Sequence, residues 1–216
     1  MARHEAPMRL LIAGASGRLG SRLVTEALAR GHAVTALSRT PGSLSLPQAG
    51  LTHAAVDIRD EAAVRELVPG HDAVLSALGH RRAGEMPDVL EVGIHHLTAA
   101  MRHAGVKRLM AVASAGILQL DERRLRCERE GYPEAFRAGS TRHLRVWQHL
   151  AASELEWTLV CPPELVEGDR LQPLKAQADW LPPGPLHVSM EALACWMIDA
   201  LGDATWACRR VGVLDA

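Results

Sequence analysis

Three glycines at intervals of three, Gly14, Gly17 and Gly20, follow a short apolar run from Met8 to Ala13 and open a stretch of helical periodicity. In that setting each has a physical role. Gly14 permits a tight turn, Gly17 lets backbone approach an anion, and Gly20 lets the helix pack closely on the strand. The amides at the helix start present partial positive charge, which suits a pyrophosphate. Gly14-Ala15-Ser16-Gly17-Arg18-Leu19-Gly20 is therefore predicted to cradle a dinucleotide, with G-x-x-G-x-x-G spacing in place of G-x-G-x-x-G.

The end of the next apolar run bears on which dinucleotide. An NAD site places an acidic residue there for the ribose 2′-hydroxyl, whereas an NADP site offers arginine to the 2′-phosphate. Ser38-Arg39-Thr40 has no carboxylate, so NADP(H) is the expected cofactor, with Arg39 forking onto the phosphate and Arg18 adding a second positive charge. The other reading of Arg39 is an ordinary surface arginine after a strand. Asp57, followed by Ile58, is placed to accept a hydrogen bond from the adenine amino group. Asp57-x-x-Asp60 is equally a turn-and-cap arrangement before a helix.

The elements that must position these residues alternate along the chain. Strands are predicted at 8–13, 32–38, 52–56, 72–78 and 108–113, with helices at 17–30, 61–68 and 86–104 between them. That series produces a Rossmann-like α/β fold, a doubly wound parallel sheet with helices on both faces. The second half is less regular. Ser140 or Thr141 caps a predicted helix over 142–152, 156–161 is a strand stopped by Pro162-Pro163, 190–201 is a helix, and 209–214 is a final edge strand. Residues 121–130 carry eight charges of mixed sign and read as a solvated helix or loop. Neither a repeat nor a low-complexity linker marks a second domain, so the 216 residues are expected to form a single domain with small C-terminal elements at the substrate pocket.

Composition removes several function classes. A net charge of −1 argues against nucleic-acid binding and against electrostatic membrane attachment. The N-terminal residues lack the apolar stretch of a signal peptide and no run is long enough to span a bilayer, which predicts a cytoplasmic protein. Cysteines 127, 161, 195 and 208 form no C-x-x-C pair and have no matching histidine spacing, so no metal site is expected.

Several segments together resemble the atypical short-chain dehydrogenase/reductases, and within them the NmrA-like and biliverdin reductase B/flavin reductase-like proteins. They are the glycine loop, Ala77-Leu78-Gly79-His80-Arg81, Ala99 to Val106, Ala113-Ser114-Ala115-Gly116, His143 to Leu150, and Cys161-Pro162-Pro163-Glu164-Leu165. The resemblance covers about residues 8 to 200. It implies a pocket over the nicotinamide bounded by Ala77, Leu78, Gly79, Ser114, Pro162, Pro163, Glu164 and Leu165, with Arg81, Ala115 and His143 toward the substrate. Ser114 is the residue it assigns to orient substrate or relay a proton. Without the resemblance, Ser114 reads as a small polar residue satisfying backbone at a strand end. Glu164 departs from the flavin reductase branch, which has histidine after the Pro-Pro pair, and segment 121–139 is longer here.

Short-chain carbonyl reductases place tyrosine and lysine four apart on one helix face, so that the cation lowers the phenol pKa. Here the only tyrosine is Tyr132, its i+4 neighbour is Phe136, and the two lysines, Lys107 and Lys175, are distant in sequence. Carbonyl chemistry by that mechanism is excluded on this reading. Hydride transfer to a flavin, quinone or similar planar acceptor remains, since it depends on stacking geometry more than on a strong acid. The alternative is a non-catalytic NADP(H)-sensing regulator of the NmrA type. A monomer or homodimer suits either function.

Overall fold

The computed structural model describes residues 6–40, 42, 44, 47–79 and 89–216. Short, nearly continuous apolar segments become the central strands of a sheet buried on both faces. Strand β1 (Arg9–Ala13) is fully buried beyond Arg9. Its alternate residues divide between two cores. Leu10 and Ile12 pack on one face with Leu19, Leu23 and Ala27 of helix α1 (Arg18–Ala29), while Leu11 and Ala13 pack on the other.

The chain continues through β2 (Ala33–Ser38), β3 (Leu51–Ala55), α2 (Glu61–Leu67), β4 (Ala73–Ser76), α3 (Val89–Ala104) and β5 (Arg108–Val112). After two 3-10 turns come α4 (Glu134–Ala151), β6 (Glu156–Cys161), β7 (Glu164–Val166), β8 (Leu174–Ala178), β9 (His187–Ser189), α5 (Met190–Asp199) and β10 (Arg209–Asp215). Sheet order is β3-β2-β1-β4-β5-β6-β10-β8, parallel except for β8, and β7 pairs with β9 in a separate two-stranded sheet. Helices α1 and α5 cover one face, and α2, α3 and α4 the other. The architecture is the expected Rossmann-like fold.

The strand order reverses between β1 and β4, and the crevice outside the carboxyl ends at such a switch point is where ligands bind in open α/β sheets. The helix facing that crevice is held firmly. Glu26 of α1, only 6% exposed, accepts from Arg30 at 2.7 Å and from Arg170 at 2.6 Å, and Arg30 also pairs with Asp199 at the end of α5. No helix among the described residues is long and apolar enough to cross a membrane.

Two expectations are corrected. The helix predicted over 142–152 begins at Glu134, so Ser140 and Thr141 lie inside it and cap nothing. Gly139-Ser140-Thr141 imitates a helix start, yet α4 tolerates it because Thr141 Oγ1 donates back to Arg137 O at 3.0 Å and Ser140 turns inward. The 209–214 segment is not an edge. It lies between β6, to which it is parallel, and β8, an antiparallel strand whose half-exposed Leu-Lys-Ala-Gln-Ala gives little apolar signal and which forms the edge itself. The 121–130 segment is a loop with a 3-10 turn at Arg126–Glu128. Of the predicted 86–104 helix, residues from Val89 fall within the described part.

Candidate functional site

Four loops leave the carboxyl ends of adjacent strands side by side: Gly14 after β1, Ala77 after β4, Ser114 after β5 and Pro162 after β6. Cross-links hold them in register. Gly14 N and Ala15 N donate to Leu37 O, Ala77 N to Ala13 O, and Ala115 N to Pro162 O at 3.1 Å.

The glycine loop has the shape its spacing predicts. Gly14 sits at φ +74°, and a Cβ there would come within 2.9 Å of Ala77 O. A Cβ on Gly20 would lie 2.1 Å from Gly14 O, so only glycine lets α1 start this close to the turn. No side chain caps α1 and no acidic residue occupies its first turn. By contrast Asp60 caps α2, Ser189 caps α5, and α4 begins with Glu134. An uncapped helix start behind a close-packed glycine turn is a fitting cradle for a pyrophosphate. Ser16 is half-buried in the turn, Arg18 is exposed beside it, and Leu19 is buried beneath.

At the end of β2 the backbone folds over this loop. Gly42 has φ +59°, and a Cβ there would meet Ser16 Cβ at 2.7 Å. Ser38 Oγ donates to Thr40 O at 2.6 Å, closing a turn that leaves Arg39 exposed at its apex. Because Ser38 spends its proton there, His53, 3.0 Å away on β3, must carry its proton on Nε2 and donate to Ser38 Oγ. Asp57 is gripped by Arg59, whose Nε, Nη2 and backbone N reach it at 3.0, 2.6 and 3.0 Å. Those bonds hold its carboxyl down at about 2. Asp57 therefore forms the turn while Asp60 caps α2, accepting from Ala63 N. The Ile58 side chain is buried among the core residues and its carbonyl accepts from His96 Nδ1 at 3.0 Å, so only backbone there faces outward.

A family profile for NAD(P)H-binding proteins matches residues 14–204. The chain belongs to this NAD(P)H-binding family. Among solved structures, it is similar to a candidate exported protein from Burkholderia pseudomallei, 29% identical with a TM-score of 0.84 over 96% of this chain and 99% of that one. A candidate NADH-flavin reductase from Streptococcus pneumoniae shares the fold at 23% identity, with a TM-score of 0.83 over 97% of this chain and 100% of that one. Among curated relatives, sterol demethylase protein B of Methylococcus capsulatus is 32% identical over 120 residues, 53% of this chain and 37% of that protein. L-arabinose 1-dehydrogenase (NAD(P)(+)) of Haloferax volcanii is 32% identical over 120 residues, 52% of this chain and 43% of that protein. The chain thus spans less than half the length of these two relatives.

In this NAD(P)H-binding chain the turn after β5 is built around Ser114. Its Oγ accepts from Gly116 N at 3.1 Å and lies 3.4 Å from Ser140 Oγ, which in turn lies 2.8 Å from the Tyr132 hydroxyl. Neither Tyr132 nor Ser140 stands out in the sequence as a site residue. The legible trace of the cluster is Gly116, where a Cβ would fall 2.3 Å from Ser140 Oγ and 2.6 Å from the Tyr132 hydroxyl. Arg210, only 5% exposed, fixes the turn from behind. It donates to Ile117 O at 2.6 Å and to Asp179 at 3.1 Å, and stacks on Trp147 of α4 with its Cζ 3.8 Å from the ring.

The other expected residues are spread along the rim. Ala77 is half-buried, Leu78 buried and Gly79 exposed; Arg81 lies outside the described residues. Ala115 is half-buried in the Ser114 turn, Pro162 is buried and Pro163 half-buried. Glu164 is exposed and its amide bonds Leu186 O at 3.2 Å, while Leu165 packs on the core below α1 and α5. His143 is on α4 one turn beyond Ser140, half-buried, with its Nδ1 out of contact with solvent.

Proposed function

We propose that the chain is a cytoplasmic NADPH-dependent reductase that delivers hydride to a flavin, quinone or similar planar acceptor. NADPH, when bound, supplies the hydride. The glycine turn and the uncapped start of α1 hold its pyrophosphate, Arg39 takes the 2′-phosphate with Arg18 nearby, and the carboxyl ends of β4, β5 and β6 frame the nicotinamide. The Pro162-Pro163 turn and the half-buried Ala77 and Ala115 offer apolar surface against which a flat ring can stack.

The observation that carries the acceptor class is the surroundings of Ser114. Among the described residues its hydroxyl is bonded to a backbone amide and to another hydroxyl, with no carboxylate, lysine or imidazole hydrogen-bonded to it. Such a site favours acceptors that are already electrophilic, for which orientation does most of the work. Four free cysteines fit a reducing compartment.

The test is to mix the protein with NADPH and FMN, riboflavin or a quinone and follow absorbance at 340 nm. Turnover with at least one of them is expected. Tight NADP(H) binding with no turnover of any such acceptor would refute the reductase and point to a regulatory sensor.

A further inference from the structure

We propose that Tyr132, Ser140 and Ser114 form a hydroxyl chain that carries a proton from solvent to the acceptor. This rests on the reductase reading for its last step, but the chain itself is a property of the ligand-free fold. Each link follows from what the hydroxyls touch. A serine or threonine inside a helix commonly bonds back to the carbonyl four residues earlier, as Thr141 and Thr98 do here. Ser140, also inside a helix and only 1% exposed, does not. Its Oγ instead bridges Tyr132 and Ser114, at 2.8 and 3.4 Å.

The proton count allows the chain to run toward the crevice. A hydroxyl donates once and accepts twice. With the Tyr132 phenol donating to Ser140, and Ser140 to Ser114, the Ser114 oxygen accepts from both Ser140 and the Gly116 amide. Its own proton is then left to point into the crevice. The phenol, much the strongest acid of the three, stands at the solvent end, where Tyr132 is half-buried. The bare Gly116 is what lets the three meet. The long link is the one at 3.4 Å, and a shortening of about half an ångström brings it to ordinary O–H···O length.

The balance is that of a two-electron reduction. The acceptor gains a hydride from the reduced nicotinamide, which is oxidised, and a proton from Ser114 Oγ. Ser114 regains a proton from Ser140, Ser140 from Tyr132, and Tyr132 from water. One solvent proton is consumed per turnover. The substrates this suits gain a proton on nitrogen or oxygen as they accept hydride, as quinones and oxidised flavins do. Tyr132 and Ser140 are positioning residues that act through Ser114.

Tyr132 is the only tyrosine, so protein labelled with [13Cζ]tyrosine gives a single ring-carbon line. In ligand-free protein, Ser140→Ala is expected to shift that line. Ser114→Ala, which removes no direct partner of Tyr132, is expected to shift it less but measurably. An unmoved line in Ser114→Ala overturns the chain. In the reductase assay, Tyr132→Phe is expected to lower kcat about 10-fold with KM little changed and to alter the solvent deuterium isotope effect. A wild-type kcat and isotope effect in Tyr132→Phe, with the fold intact by thermal melting, also overturns it. If no planar acceptor is reduced yet the line responds to Ser114→Ala, the acceptor assignment fails and the hydroxyl chain is supported.

Discussion

Replacing Arg39 by aspartate tests whether the turn after β2 reads the cofactor's 2′-phosphate. The turn is rigid, closed by the 2.6 Å bond from Ser38 to Thr40 and braced by His53, so the substitution changes charge without loosening the backbone. A hydrogen-bonded arginine–phosphate pair contributes about 1.5–3 kcal/mol. The new carboxylate adds a repulsion of about 1 kcal/mol at 4 Å in water. Together, about 2.5–4 kcal/mol corresponds to NADPH binding weakened about 70- to 900-fold. NADH has no 2′-phosphate and should bind as before or better. Titration calorimetry of both cofactors at one fixed ionic strength measures the difference, and the gap should narrow as salt is added, because Arg39 is exposed. Equal loss of NADPH and NADH affinity would refute the assignment.

Gly20→Ala should abolish NADPH binding and cost on the order of 1–3 kcal/mol of stability, since the added Cβ meets backbone at 2.1 Å; Gly139→Ala, where a Cβ meets nothing within 4 Å, should stabilise by about 0.5–1 kcal/mol in the same urea titration. Arg108, 9% exposed, donates to the carbonyls of Leu201, Ala200 and Glu156 and to Thr158 Oγ1. Arg108→Met strands the carbonyls at the end of α5 and should cost about 2–4 kcal/mol, and a loss below about 0.5 kcal/mol would show them to be otherwise satisfied. Asp57→Asn probes acid stability. The Arg59 hydrogen bonds depress the Asp57 pKa from 3.8 to about 2, so its contribution is complete above pH 3.8 and disappears as pH falls through about 2. Because the side chain is 33% exposed, the variant should lose no more than about 1 kcal/mol near neutral pH. Denaturation curves of the two proteins should converge as pH falls from about 4 to about 2, and a constant gap would exclude Asp57 as the titrating group.

How much of this could be read beforehand depends on the reach of each interaction. The turn from β1 into α1 is local: a buried strand, three glycines and an amphipathic helix within about twenty residues, so its elements are legible in the sequence to within a residue at each end. The same holds for the halt of β6 at Pro162-Pro163. Ser140 shows the converse. Its neighbours imitate a helix cap, and only the approach of the Ser114 turn, 26 residues earlier, explains why it lies inside a helix facing inward. The i+4 neighbour of Tyr132 says nothing of its hydroxyl partner, which is eight residues away on the next element. Arg210 and Trp147 meet across 63 residues for the same reason, through tertiary packing that a spacing rule does not see.

The placement of β10 constrains how the protein is made. Residues 209–215 follow β6 and β8 in the chain, yet they sit between them and pair with both. While the ribosome still holds those residues, β6 has no partner on its outer side and β8 has none at all, so the nascent chain presents an unpaired strand edge. The first five strands and their helices can assemble during translation, but the region behind Ser114, including the Arg210 clamp, must wait until β10 has emerged. Cells short of chaperone capacity should therefore accumulate a half-built protein whose glycine turn is formed and whose Ser114 turn lacks its support.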